Sequence, residues 1–69
     1  MDIRYSDHAI GRLMFRKMEK IWIEEAIQHP SILRRIGNKF FAQKKLNGLT
    51  IEVVYTKEKY ISVKTAYWV

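Results

Sequence analysis

Pro30 is the only proline in the chain, and the apolar periodicity changes across it. Before Pro30, apolar residues recur at spacings of three and four. After it they alternate, and β-branched and aromatic side chains take over. A chain that switches period once, and does not switch back, gathers its helices first and its strands second. With 69 residues there is room for one such unit, so the expectation is a single domain, residues 1–69, of the α+β class.

In the helical half, Ser6 is a good N-cap and Asp7 follows in the first turn, where the helix dipole favours a carboxylate. Ile10, Leu13, Met14 and Met18 then form one apolar face, which predicts a helix from about 7 to 17. A second helix is expected from near Glu19 to just before Pro30, with Trp22, Ile23, Ala26 and Ile27 on one side and Glu24, Glu25 and Gln28 on the other. Ile21 does not fit that wheel. His29 falls at the helix end, where a cation is mildly favoured.

Beyond Pro30, four strands are expected over about 31–36, 39–46, 49–55 and 60–67. Gly37-Asn38 and Asn47-Gly48 separate the first three by two residues each, the length and composition of tight primed turns, and Lys57-Glu58-Lys59 sits in a longer third turn. The expected architecture is two N-terminal helices packed on one face of a four-stranded antiparallel meander sheet. Two-residue turns fix the register: Leu46 faces Leu49, Lys44 faces Ile51, Ala42 faces Val53, Arg35 faces Phe40 and Leu33 faces Ala42. One face then collects Leu33, Phe40, Ala42, Leu46, Leu49, Ile51, Val53, Ile61 and Val63 as the core. The same parity sets Arg35, Lys44, Thr65 and Tyr67 on that face, where a cation costs several kcal/mol unless it is solvated or paired. Either these residues line an open margin, or a bulge shifts the register. On the unshifted register Lys44 and Thr65 stand level, two strands and roughly 10 Å apart, with room for a phosphate between them.

Charge narrows the function classes. Residues 1–30 carry five basic and five acidic groups, whereas residues 31–69 carry eight and two, so the whole excess of +6 lies in the second half. Arg34, Arg35, Lys39, Lys44 and Lys45 follow one another with no acid among them, the footprint of a surface that meets phosphates, with RNA or an acidic protein as the partner. The plain alternative is a strand edge kept soluble by its lysines. There is no cysteine, hence no disulfide and no zinc-thiolate site, and His8 and His29 are too few for an all-protein metal cage. No cofactor is expected. The longest apolar run, Ala66 to Val69, is far short of the ~20 residues a membrane helix needs, and no basic leader precedes an apolar stretch; the expectation is a cytoplasmic chain with no membrane partner. A domain this small buries only about 60% of its unfolded surface and retains ~5 kcal/mol of stability, which a homodimer would increase.

His8, Arg12 and Arg16 are spaced i, i+4, i+8, so one helical stripe presents a group that titrates near neutrality and two permanent cations. Cleaving RNA without a metal needs a base for the ribose 2′-hydroxyl, an acid for the leaving 5′-oxygen, and fixed positive charge on the phosphorane. Histidine serves for either proton transfer and arginine braces a phosphate through two bonds. An ordinary exposed helical face would look the same. Lys39-Phe40-Phe41 interleaves cation and aromatic in the manner of a single-strand binder, while most aromatics read more simply as packing.

Several pieces in order carry a resemblance: Ser6-Asp7-His8-Ala9, Arg12 and Arg16, a second helix ending in Ala26-Ile27-Gln28-His29-Pro30, the Gly48 hairpin with Val53-Val54-Tyr55, and the closing Val63-Lys64-Thr65-Ala66-Tyr67-Trp68. Together they resemble the 4258 family of domains of unknown function, over nearly the whole chain. That family is similar in layout to the RelE-like toxins and, more broadly, to the metal-independent RNase fold grouping that contains barnase, EndoU and the colicin nucleases. The resemblance implies a toxin-like endoribonuclease that cleaves by 2′-hydroxyl attack, or a relative that binds RNA. It sets the family's helix-borne histidine and arginine on His8 and Arg12, matches Arg16, and sets the strand-borne threonine and tyrosine on Thr65 and Tyr67. Glu19 departs from it, standing where a Ser or Thr cap is usual. A toxin implies an antidote, and an acidic antitoxin-like protein suits the basic second half. The alternative is a non-catalytic nucleic-acid-binding or protein-interaction module.

Overall fold

The computed structural model describes residues 2–69. Its elements run β1 (Ile3–Tyr5), α1 (Asp7–Phe15), α2 (Lys20–Gln28), β2 (Ile32–Ile36), β3 (Lys39–Leu46), β4 (Leu49–Lys57) and β5 (Ile61–Trp68). The strands form one sheet in the order β1-β5-β4-β3-β2. The α+β class is the expected one, but the sheet is five-stranded and mixed rather than a four-stranded antiparallel meander. The added strand, β1, lies parallel to β5 with Ile3 beside Ile61 and Tyr5 beside Val63. Three residues carry too little of a period to be read as a strand, and the partner sits at the far end of the chain. The Tyr5 hydroxyl ties β1 to α2 by donating to Glu24 at 3.2 Å.

Ser6 caps α1 as expected, its hydroxyl accepting from the Ala9 N–H at 3.1 Å. The helix ends at Phe15 instead of residue 17 because Lys17 turns left-handed (φ +55°). The Met18 N–H then donates to the Leu13 carbonyl at 2.9 Å, closing the turn and sending buried Met18 into the core. At α2 the N-cap is Glu19, which gives no side-chain cap bond, and Ile21 points to solvent.

Both tight turns form. Asn47 and Gly48 both have positive φ (+47° and +86°), as a type I′ turn requires, whereas in Gly37-Asn38 only the glycine does (+62°), as in type II′. The resulting register pairs Ile36 with Lys39, Arg35 with Phe40, Ala42 with Val53 and Lys44 with Ile51, as expected.

Between β4 and β5 the register slips: Val54 pairs with Thr65 but Tyr55 with Val63, so Lys64 is an extra residue. This bulge overturns the parity carried from the hairpins. Ala66 and Trp68 turn toward the core, and Thr65 and Tyr67 turn away from it. Both helices lie on the core side, α1 over β5 and α2 over β4 and β3. Ala9, Leu13, Met18, Ile23, Ala26 and Ile27 meet Ala42, Ile51, Val53, Tyr55, Ile61, Val63 and Ala66 there. Leu33 and Leu49, expected in the core, are about half exposed at its margin (50% and 59%). No helix among the described residues is long and apolar enough to cross a membrane.

Candidate nucleic-acid interface

Two helices cover only one face of the sheet, and the other face is where the basic half of the chain becomes a surface. Alternation from the observed register divides the expected RNA-binding cations. Arg34, Lys39 and Lys45 stand on the uncovered face, since they pair with Phe41, Thr56 and Thr50, whose neighbours in sequence point into the core. Arg35 and Lys44 stand on the helix side. Arg35 extends past the helices at the exposed margin, its guanidinium over the Phe40 ring and its Nε–H donating to the Gly37 carbonyl at 3.0 Å. Lys44 pairs with Glu25 of α2 at 3.9 Å. A cation on the apolar face is thus solvated in one case and paired in the other.

The expected catalytic residues divide in the same way. His8, Arg12 and Arg16 belong to α1 and its C-cap on the helix side, while Thr65 and Tyr67 project from β5 onto the uncovered face. Lys44 and Thr65, placed by unshifted parity around one phosphate, lie on opposite faces of the sheet, and the bulge is the reason. On α1, the Arg12 Nε–H donates to His8 Nε2 at 3.5 Å, so these two do come together. Arg16 has a structural partner: its guanidinium donates to the Ala66 carbonyl at 2.6 Å. Past Tyr5, β1 no longer covers that edge of β5, and Arg16 satisfies a carbonyl that no strand reaches.

The centre of the uncovered face is a carboxylate that sequence reasoning passed over. Glu52 is 4% exposed, the sole buried charged residue among those described. It accepts from the Tyr67 hydroxyl, from Gln43 Nε2 at 2.9 Å, and lies 3.5 Å from Arg34 Nη2. Burial by itself would raise its pKa, but the bonds from Tyr67 and Gln43 and the Arg34 charge outweigh that and hold it below the ordinary carboxylate value. The bond to Glu52 and burial push the Tyr67 hydroxyl upward, so it stays a neutral donor at physiological pH. Arg34 also lies over the Phe41 ring, 5.4 Å from its centroid. The result is a fully bonded polar cluster, Arg34, Gln43, Glu52 and Tyr67, with half-buried Phe41 beside it.

One part of this cluster was legible: the Asn47-Gly48 hairpin already sets Gln43 opposite Glu52 on the face away from the core. Tyr67 joins them only through the bulge, and Arg34 only because a long side chain reaches across β3.

In comparisons with known proteins, no family model matches the chain, no curated protein matches it, and no solved structure matches it.

Proposed function

We propose that the uncovered sheet face binds single-stranded RNA. One observation carries this reading: the face left free by the helices bears Arg34, Lys39 and Lys45 around the rings of Phe41 and Tyr67, and the carboxylate at its centre, Glu52, is already bonded to Tyr67, Gln43 and Arg34. Cations on a backbone track plus rings that offer a π-face to any base are the two components of a sequence-tolerant single-strand site. Glu52 stiffens that site. By holding Arg34 and Tyr67 it fixes their positions before a ligand arrives, and being fully bonded it repels phosphate less than a free carboxylate would.

Salt dependence tests the reading. Two phosphates neutralised by Lys39 and Lys45 on a single strand give a slope of about −1.4 for log K against log salt, which the double variant Lys39→Ala/Lys45→Ala removes. A slope that the double variant leaves unchanged puts RNA elsewhere or nowhere.

RNA cleavage is the second reading, in the RelE-like layout that the resemblance implies. The contact between His8 and Arg12 favours it, since it sets a side chain able to transfer protons beside a permanent cation. Thr65 and Tyr67 would then serve the strand on the other side of β5. Mapped RNA ends decide between the readings: cleavage that falls ~100-fold in His8→Ala supports an enzyme, whereas intact RNA with unchanged binding leaves the binding module.

A further inference from the structure

The strand at the sheet's outer end, β2, is exposed at all five residues, Ile32 to Ile36, and has a neighbour on one side only. In an antiparallel ladder closed by the Ile36–Lys39 pair, alternate residues bond inward, so the N–H and C=O groups of Leu33 and Arg35 point outward with no strand to receive them. The three large aliphatic side chains of the strand are half exposed or more: Ile32 54%, Leu33 50% and Ile36 61%. Free edges are blunted by bulges, prolines, cover or charged side chains, and here the protection is Arg34 and Arg35 alone. Here the register from Ile32 to Ile36 is unbroken.

Charge selects the occupant. Arg34 and Arg35 sit at the middle of the strand, one on each face, and no acidic residue occurs between Glu25 and Glu52 in the sequence. A second copy pairing antiparallel along the same edge, with the outward groups of Leu33 and Arg35 bonded to one another, would bring Arg34 against its own counterpart, and like charges across a ladder destabilise it. A strand with two consecutive acidic residues flanked by aliphatic ones meets both requirements, since neighbouring residues point to opposite faces. Its backbone takes the outward groups of Leu33 and Arg35, its carboxylates reach the two guanidiniums, and its aliphatic groups cover Ile32, Leu33 and Ile36. We infer that β2 is a docking edge for an extended acidic segment of a partner protein, which adds a sixth strand to the sheet. This inference stands apart from the RNA reading, although the two occupants share Arg34.

The test uses the full chain with two synthetic eight-residue peptides, one with a central Glu-Glu pair flanked by valines and one with a central Lys-Lys pair flanked by valines. The Glu peptide is expected to bind, the Lys peptide not, and amide exchange at Leu33 and Arg35 is expected to slow at least about tenfold on binding. Leu33→Pro removes an outward N–H without taking a bond from the β2–β3 ladder, so the fold persists by circular dichroism while peptide affinity falls at least ~10-fold. Arg34→Glu/Arg35→Glu is expected to reverse the preference toward the Lys peptide. Because Leu33→Pro leaves the RNA cations intact, lost peptide binding with retained RNA affinity separates this proposal from the other. It is overturned if the Glu peptide does not bind, if Leu33→Pro binds it as well as the parent, or if sedimentation shows a dimer that Leu33→Pro dissolves.

Discussion

Glu52 sits on the face of the sheet that no helix covers, yet it is among the most buried residues of the chain. Its neighbours do the burying: Gln43 and Tyr67 flank it across the ladder and the Arg34 side chain closes over it. A carboxylate so held has a pKa below its unfolded value of about 4.3, so the stability it contributes is fully present above that pH and lost as pH falls through the folded value. Glu52→Gln keeps the shape and removes the charge. It is expected to cost about 1 kcal/mol at pH 7 and to flatten the acid limb of the thermal unfolding midpoint below about pH 4.3, read by circular dichroism. A parent-like acid limb in the variant would show that other carboxylates govern acid unfolding. Glu52→Ala, which strands the Arg34 and Tyr67 donors, costs more, about 1–3 kcal/mol.

Among the elements, the turn leaving α1 bears the clearest strain. A left-handed residue at this position is usually glycine, because a Cβ crowds the following carbonyl; here it is Lys17. Lys17→Gly removes that clash but gives the unfolded chain more freedom. The balance is a gain of a few tenths to ~1 kcal/mol, visible as a higher midpoint in urea at constant slope. The two hairpins have no such conflict. Asn47-Gly48 and Gly37-Asn38 supply the positive φ that their turns need, which is why the register of β2, β3 and β4 could be written from the sequence. The third connection, Glu58 to Tyr60, lacks a two-residue turn, and the bulge at Lys64 follows it. An extra residue in a strand leaves no mark on local composition. Parity therefore failed there, and it took Thr65 and Tyr67 with it.

For the molecule as a whole, the first residues matter more than their number suggests. Without β1 the sheet would end at β5, whose Ile61 and Val63 are core residues, 4% and 0% exposed. A chain shortened to begin at Ser6 loses the parallel ladder, the Tyr5 bond to Glu24 and the cover of that edge. The expected outcome is loss of a cooperative thermal transition, with association into larger species seen by light scattering. A shortened chain that melts sharply as a monomer would show that α1 and Arg16 suffice to close the edge.

The sequence by itself determined what depends on neighbours along the chain. Ser6 specified a helix start, the alternating apolar residues specified which side of each hairpin faces inward, and the two Asn and Gly pairs specified the register, since each acts within a few residues. Only the tertiary structure decided what depends on distant segments meeting. The pairing of Ile3 with Ile61, the slip at Lys64, the separation of His8 from Tyr67 by the sheet, and the closing of Arg34, Gln43 and Tyr67 around Glu52 each arise where the backbone's hydrogen bonds and the core's volume are satisfied together. No stretch of a few residues carries that condition.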